Sequence, residues 1–299
     1  MRDNAVTIGL QETGCVVSEN EPMSAHTTFK IGGEAEWFVC AEQPDQAAGV
    51  LRFCQANHIP LLTVGNGSNL LVSDSGIEGV VLRITANAVT VEGNRIIAQA
   101  GASLTRVCLA ACSSGLSGLE FAYGIPGTVG GGVYMNAGAY GGQLSDVVES
   151  VTVLSPTGEL TELSAEQMQF GYRHSVLCEQ PLLVWAVTFH LTEGVPVAIR
   201  EAMEEHMTAR KHKQPLEFPS GGSFFKRPEG QFAGALIERC GLKGRTVGGA
   251  QISEKHAGFV INRGGATCAD VMELCRQVQQ EVQATCGVTL EREVQLVGR

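Results

Sequence analysis

The 299-residue chain is short of positive charge: 21 Lys and Arg stand against 31 Asp and Glu, a formal net charge of −10. Non-specific binding to a nucleic-acid backbone needs a basic face, so this balance argues against that class of partner. A few Arg and Lys gathered in a cleft still suffice for a small anionic ligand. Long apolar runs are missing as well; no stretch approaches the roughly 18 residues of a membrane span. The segment from Met1 to Gly14 lacks the cationic start and apolar core of a signal peptide, so a cytoplasmic location is expected. Ten cysteines make no C-x-x-C pair and no zinc-finger spacing, which leaves them as buried thiols of a reducing compartment, with Cys178 in a loop and no metal expected. There are no internal repeats and no low-complexity tracts. With 44% hydrophobic and 17% charged residues the chain reads as a globular protein of two or three domains.

What the sequence does have is glycine concentrated in one place. Gly124-Ile125-Pro126-Gly127-Thr128-Val129-Gly130-Gly131-Gly132 is followed by Met135-Asn136-Ala137-Gly138-Ala139-Tyr140-Gly141-Gly142. A flexible linker would interleave serine; here the intervening residues are apolar. Such a backbone either adopts positive φ or lies close to a large flat ligand, and the stretch reads as a cofactor bed.

Around it the periodicity predicts a β-α-β-like start, with strands over 36–40 and 60–64 and a helix over 44–57 opened by Pro44. A glycine-rich turn, Gly65-Asn66-Gly67-Ser68-Asn69, enters an apolar strand. Short strands follow from 79 to 100, then a helix over 103–114, a hairpin around Pro156-Thr157-Gly158 and a long strand over 181–192. Composition shifts near Gly194-Val195-Pro196, where a charged helix runs to Lys213. Helices over 232–240 and 269–285 and a terminal strand over 290–297 complete the pattern.

Five segments could carry chemistry, and each has a plain alternative. The Gly65–Asn69 turn offers adjacent backbone N–H groups for a pyrophosphate, or is a simple hairpin turn; no Gly-Lys-Ser/Thr follows it and it lacks a G-x-G-x-x-G helix entry. Arg173, in Phe170-Gly171-Tyr172-Arg173-His174-Ser175, is a carboxylate or phosphate clamp, or an arginine stacked on Tyr172. Ser223, in Gly221-Gly222-Ser223-Phe224-Phe225-Lys226, is a catalyst or a turn residue; the G-x-S-x-G frame of a hydrolase is absent. His256 is a ligand contact or part of a loop entering a buried strand. Glu291 and Glu293 alternate along a strand, sharing one face of a solvated edge or of a site.

In this order the segments resemble the UDP-N-acetylenolpyruvoylglucosamine reductase family. The likeness rests on Thr28-Phe29-Lys30-Ile31-Gly32-Gly33, the Gly65–Leu71 turn, the Gly124–Gly142 stretch, Tyr172-Arg173-His174-Ser175, Gly222-Ser223-Phe224-Phe225-Lys226 and Glu293-Val294, and it runs from about Thr27 to Gly298. The resemblance implies an α+β fold: a two-subdomain FAD-binding module of the vanillyl-alcohol-oxidase type plus a C-terminal α+β substrate domain. The corresponding spans are 1–76, 77–194 and 195–299, with the terminal strand returning to the active site.

It further implies non-covalent FAD, with Gly65, Asn66, Gly67, Ser68 and Asn69 on the pyrophosphate. Gly124, Ile125, Pro126, Gly127, Thr128, Gly130, Gly131, Asn136, Ala137 and Gly138 lie along the flavin and its ribityl chain. NADPH is the implied reductant and an enolpyruvyl UDP-sugar the substrate, in peptidoglycan precursor synthesis. Hydride reaches the β-carbon, Arg173 and Glu293 hold the carboxylate end, and Ser223 donates the proton to the α-carbon. Lys226 is a candidate to polarise that serine. Lys213, Lys243, His256 and Tyr172 match substrate-contact positions. The expected protein is a monomer with no nucleic-acid or membrane partner.

Two features depart from the family. Gln295 stands where an arginine is usual, and the short segment between Arg173 and Trp185 lacks the tyrosine-bearing loop of one branch. A flavin-dependent oxidase acting on another substrate would share the glycine motifs but has no need of Ser223 and Glu293.

Overall fold

The computed structural model describes residues 2–299 and divides into two compact units. The first comprises residues 2–19, 37–66 and 79–209; the second comprises 20–36, 67–78 and 210–299. Each has its own core of buried apolar side chains.

Helices Arg2–Gln11 (α1), Pro44–Ala56 (α2), Leu104–Ser113 (α3) and Val129–Tyr134 (α4) belong to the first unit. One of its sheets has the order β1-β2-β5-β3, from Val16–Pro22 (β1), Glu34–Ala41 (β2), Leu61–Val64 (β3) and Ile77–Ile84 (β5). β3 and β5 run parallel with Leu61 opposite Val80, a pairing that requires a crossover connection between them. α2 forms because Pro44 sits at its first turn, Gln43 and Gln46 close a capping box, and Ala47, Val50, Leu51 and Cys54 repeat on one buried face. A second sheet has the order β12-β11-β13-β7-β6, built from Val89–Glu92 (β6), Arg95–Gln99 (β7), Val148–Leu154 (β11), Leu160–Ser164 (β12) and Leu183–His190 (β13). β11 and β12 make the hairpin expected around Gly158, with Leu154 opposite Leu160. Two short pairings complete the unit: Leu116–Ser117 (β8) with Thr192–Glu193 (β14), and Gly138–Ala139 (β9) with Gly142–Gln143 (β10).

The helix Pro196–Lys213 (α5) leads into the last segment of the chain. In the second unit a four-stranded sheet has the order β15-β18-β17-β16, from Ser220–Ser223 (β15), Thr246–Val247 (β16), Ala250–Ile252 (β17) and Phe259–Asn262 (β18). Helices Ala233–Arg239 (α6) and Cys268–Cys286 (α7) accompany it. α7 has a full set of terminal signals: a Thr267/Asp270 capping box, buried Val271, Leu274, Cys275, Val278 and Val282, and Gly287 in the left-handed region at φ 69°. The terminal strand is shorter than expected. Residues 290–294 are irregular, and only Gln295–Val297 (β19) pairs, in parallel, with Leu70–Val72 (β4). The reason is a contact distant in sequence: at 291–293 the backbone bonds to residues 224–226 instead.

Among the described residues no helix is long and apolar enough to cross a membrane. Nor do His, Cys, Asp and Glu gather among them into a group that could hold a metal.

Candidate functional site

The glycine bed begins where Thr128 caps α4, its Oγ1 accepting from Gly131 N at 3.3 Å. Val129 N and Gly130 N donate to the carbonyls of Ala102 and Ala100 at 2.8 and 2.9 Å, so the bed is laid against the β7–α3 junction. Much of its glycine answers to protein packing. A Cβ on Gly132 would stand 2.9 Å from Leu144 Cδ1, and one on Gly130 would stand 3.0 Å from Ala100 Cβ. Gly131 differs: it is exposed, and a Cβ there would meet Thr128 Oγ1 only at an ordinary 3.5 Å. The bed therefore offers an open backbone at Gly131 above a closely packed base.

The Gly65–Asn69 turn is not a hairpin, because β3 pairs with β5 whereas β4 pairs with β19. Its two ends lie in different units. In the first unit Gly65 leaves room for Thr128, whose Oγ1 would be 2.3 Å from a Cβ on Gly65. Asn66 Nδ2 donates to Pro126 O at 3.1 Å and its Oδ1 accepts from Arg83 Nη2 at 3.3 Å. The turn and the bed, sixty residues apart in sequence, are thus brought together. In the second unit Gly67 has φ 60° and accepts from Thr28 N at 3.3 Å, and Asn69 Nδ2 donates to Glu293 O at 3.2 Å.

Arg173 occupies a tight turn in which Gly171 and His174 exchange backbone hydrogen bonds of 3.0 and 3.3 Å. Its φ is 54°, a region that L-residues with a Cβ rarely adopt. The turn is held by Asn136, itself at φ 42° and only 1% exposed. Asn136 Nδ2 donates to Gly171 O at 3.0 Å, and its Oδ1 accepts from Ser145 N at 3.0 Å. Buried Ser175 adds a bond from Oγ to Tyr134 O at 2.8 Å. The guanidinium donates from Nη2 to Gly138 O at 3.1 Å and lies 5.2 Å from the Tyr172 ring centroid, so the stacked arrangement is present, with Tyr172 itself exposed. Asn136 and Gly138, selected for the bed, also support Arg173.

In the second unit Ser223 closes β15 opposite Phe259, exposed and flanked by Gly222 at φ 81° and buried Phe224. Phe224 packs edge-on against Phe29 at 6.4 Å and Phe225 at 5.3 Å. Its carbonyl accepts from Glu293 N at 2.9 Å, Phe225 bridges Arg292, and Lys226 N donates to Glu291 O at 2.8 Å. This ladder brings together Ser223 and Glu293, the two residues chosen from separate motifs. The Lys226 ammonium instead faces Glu291, 3.4 Å from its Oε2. Thr28 Oγ1 donates to Ser220 O at 2.7 Å, tying the Thr28–Gly33 motif to the same strand.

Lys243 and His256 also share a neighbourhood. Lys243 Nζ reaches Glu238 Oε1 at 2.6 Å, and both charges act on His256. Burial is the largest influence and holds the His256 ring below its ordinary range, with the Lys243 charge adding to it; a backbone hydrogen bond, second in size, and the Glu238 charge act in the opposite direction. Its Nδ1 accepts from Gly258 N at 3.0 Å and the ring lies edge-on to Phe259 at 5.0 Å. Lys213 ends α5, exposed.

Three supporting residues escaped the sequence reading: Arg83 on Asn66, Asn262, and Asp74. Asn262 Oδ1 accepts from Gly264 N and Ala266 N at 2.9 and 3.2 Å, while its Nδ2 donates to Phe29 O. Asp74 caps α7 with bonds from Cys268 N and Ala269 N at 2.7 and 2.9 Å. Arg83 and Asp74 stand outside the glycine-rich and aromatic segments, and Asn262, although Arg263-Gly264-Gly265 follow it, shows nothing locally of its bond to Phe29 O, 233 residues away.

Residues 35–164 match the family model of the FAD binding domain. Residues 214–297 match that of the UDP-N-acetylenolpyruvoylglucosamine reductase C-terminal domain. The chain is 47% identical to the UDP-N-acetylenolpyruvoylglucosamine reductase of Lachnoclostridium phytofermentans, over 97% of each chain. It is 43% identical to that of Lactobacillus acidophilus, over 98% of each. The crystal structure of the Thermus caldophilus reductase superposes with a TM-score of 0.81 at 35% identity, covering 94% of this chain and 98% of that one.

Proposed function

This chain belongs to the UDP-N-acetylenolpyruvoylglucosamine reductase family, and on that premise we propose that it reduces UDP-N-acetylenolpyruvoylglucosamine to UDP-N-acetylmuramate for peptidoglycan synthesis, with FAD as cofactor and NADPH as reductant. Gly65–Asn69 would hold FAD by its pyrophosphate, and Gly124–Gly132 with Asn136–Gly138 would line the flavin. The open backbone at Gly131 beside a rigid base suits a large flat group. Residues 1–76 and 77–194 serve as the FAD subdomains and 195–299 as the substrate domain.

Bound FAD supplies the hydride that adds to the β-carbon of the enol ether. That addition leaves negative charge on the α-carbon and its carboxylate. Arg173 meets the charge with a guanidinium fork, whose fixed donors are suited to a carboxylate. Glu293 fixes the same end of the substrate. Ser223 then gives its hydroxyl proton to the α-carbon; a serine is a weak acid, but a carbanion is a strong enough base to take that proton. Lys213 and Lys243 receive the nucleotide diphosphate, with His256 and Tyr172 as further substrate contacts.

The observation that carries this reading is the hydrogen bond from Glu293 N to Phe224 O, which sets the proposed acid's strand beside the proposed carboxylate holder. The deciding assay is NADPH oxidation by the purified holoenzyme. It is expected to require the enolpyruvyl UDP-sugar; oxidation supported equally well by oxygen alone would replace the reductase reading with that of an oxidase.

A further inference from the structure

All ten cysteines are free thiols, six of them buried, and burial pushes several up, Cys54 to about 11 and Cys108 to about 12. One pair stands apart. Cys240 and Cys286 are both half-buried, and their sulfurs lie 3.7 Å apart. Cys240 caps the end of α6, and Cys286 is the last residue of α7. Each is followed by a left-handed glycine, Gly241 at φ 68° and Gly287 at φ 69°. The Cys240 thiol therefore sits at a helix end, where backbone carbonyls disfavour a thiolate. Burial and the neighbouring Cys286 also push the Cys240 thiol up. Arg239 Nε donates to Cys286 Sγ at 3.3 Å, placing a cation against that sulfur.

We propose that Cys240, Cys286 and Arg239 form a redox-responsive thiol pair that closes to a disulfide on reaction with a low-molecular-weight disulfide such as oxidised glutathione. Closure brings the sulfurs from 3.7 Å to about 2.05 Å. The Cys286 thiolate, facing Arg239, attacks one sulfur of oxidised glutathione; a mixed disulfide forms and one glutathione thiolate leaves. Cys240 gives its proton to solvent and attacks Cys286 Sγ, expelling the second glutathione thiolate. Two protein thiols are oxidised to one disulfide and one small disulfide is reduced to two thiols. The proposal stands on the thiol geometry and is independent of the reductase reading.

The test treats the FAD-loaded full-length protein with oxidised glutathione, quenches it in acid, alkylates it under denaturing conditions and maps peptides by mass spectrometry. The expected product is a linked peptide pair joining Cys240 to Cys286, reversed by dithiothreitol. Exposed Cys178 should carry glutathione alone, which confirms that the oxidant was effective. In Cys286→Ser the linked peptide disappears. Arg239→Gln slows closure about three- to tenfold while Arg239→Lys restores most of the rate, as expected for stabilisation of an attacking thiolate. Glutathione on Cys178 with Cys240 and Cys286 unlinked would overturn the proposal, as would closure at an unchanged rate in Arg239→Gln.

Discussion

The Arg173 turn and the Ser223–Lys226 segment present the polar residues singled out in the sequence, but they are built in different ways. Arg173 sits on a backbone that its own Cβ disfavours, and side chains hold it there: buried Asn136 on Gly171, and Ser175 on Tyr134. Ser223 precedes a residue held on both sides by the backbone. Phe224 donates to Gly258 O at 2.8 Å and accepts from Glu293 N at 2.9 Å. In the first region the chemistry and the geometry share the same side chains. In the second, main-chain bonds fix the geometry and leave the side chains for chemistry. Substitutions should therefore read differently in the two places.

The largest effect is expected at Ser223. In Ser223→Ala, flavin reoxidation by the enolpyruvyl UDP-sugar should slow by about 10²- to 10⁴-fold, the usual worth of a positioned acid. Flavin reduction by NADPH should stay within about twofold, and the melting temperature should hold, because the ladder at Phe224 is untouched. Stopped-flow measurement of the two half-reactions separates the cases; equal slowing of both would remove the proton-donor role. Arg173→Gly should cost about 10²- to 10³-fold in the same second half-reaction. Yet glycine relieves the left-handed backbone, so stability should change by less than about 1 kcal/mol, with Arg173→Ala less stable than Arg173→Gly. Urea unfolding of the two variants tests that order. Asn136→Ala should lose both properties together, with about 2 kcal/mol of stability gone, because Gly171 O and Ser145 N each lose a buried partner.

The same contrast explains what could be read in advance. Where the controlling signal is local, elements were legible: the Pro44 start and apolar face of α2, the helical run over 269–285 that became α7, the Gly158 hairpin. Arg173 stood out by its aromatic neighbours Phe170 and Tyr172, and Ser223 by the Gly221-Gly222 turn before it. What escaped depends on contacts across long sequence separations. Asp74 caps a helix 194 residues away, and nothing near it announces that role. The terminal strand was read as continuous from 290, yet at 291–293 the chain is diverted to residues 224–226, and only 295–297 pair as a strand. The glycine bed was legible as unusual but not in its causes, since part of its glycine is demanded by Leu144 and Ala100 rather than by a ligand.

Gly131 and Gly132 turn that last point into an experiment. Gly132→Ala drives a Cβ to 2.9 Å from Leu144 Cδ1 in a buried site, and overpacking of this kind typically costs about 1–3 kcal/mol. Gly131→Ala meets an ordinary contact on an exposed helical turn, so the apoprotein should be stabilised or unchanged within about 1 kcal/mol. If Gly131 faces the flavin, its alanine variant should instead weaken FAD binding, by about tenfold for one displaced close contact. Thermal unfolding of the apoprotein with fluorescence titration of FAD gives both numbers. A Gly131→Ala protein that binds FAD normally would assign this part of the bed to packing alone.

The smallest expected effect lies at His256, in the region where main-chain bonds dominate. Its ring is held below the ordinary histidine range chiefly by burial, with Lys243 adding to the shift, so the unfolded chain binds the proton more readily than the fold does. The sign follows from that difference: stability contributed by the neutral ring is fully present above about pH 6.5, the unfolded value, and is lost as pH falls through the depressed folded value. Geometry points the same way, since Nδ1 accepts from Gly258 N at 3.0 Å and a protonated ring cannot accept there. Wild-type protein should therefore lose stability between pH 7 and pH 5 with a slope no steeper than about 1.4 kcal/mol per pH unit, the ceiling for one proton. His256→Gln should flatten that slope without moving the stability of the Ser223–Glu293 ladder, whose bonds are main-chain. Urea unfolding of both proteins at several pH values measures the difference; a slope unchanged by the substitution would place the titrating group elsewhere.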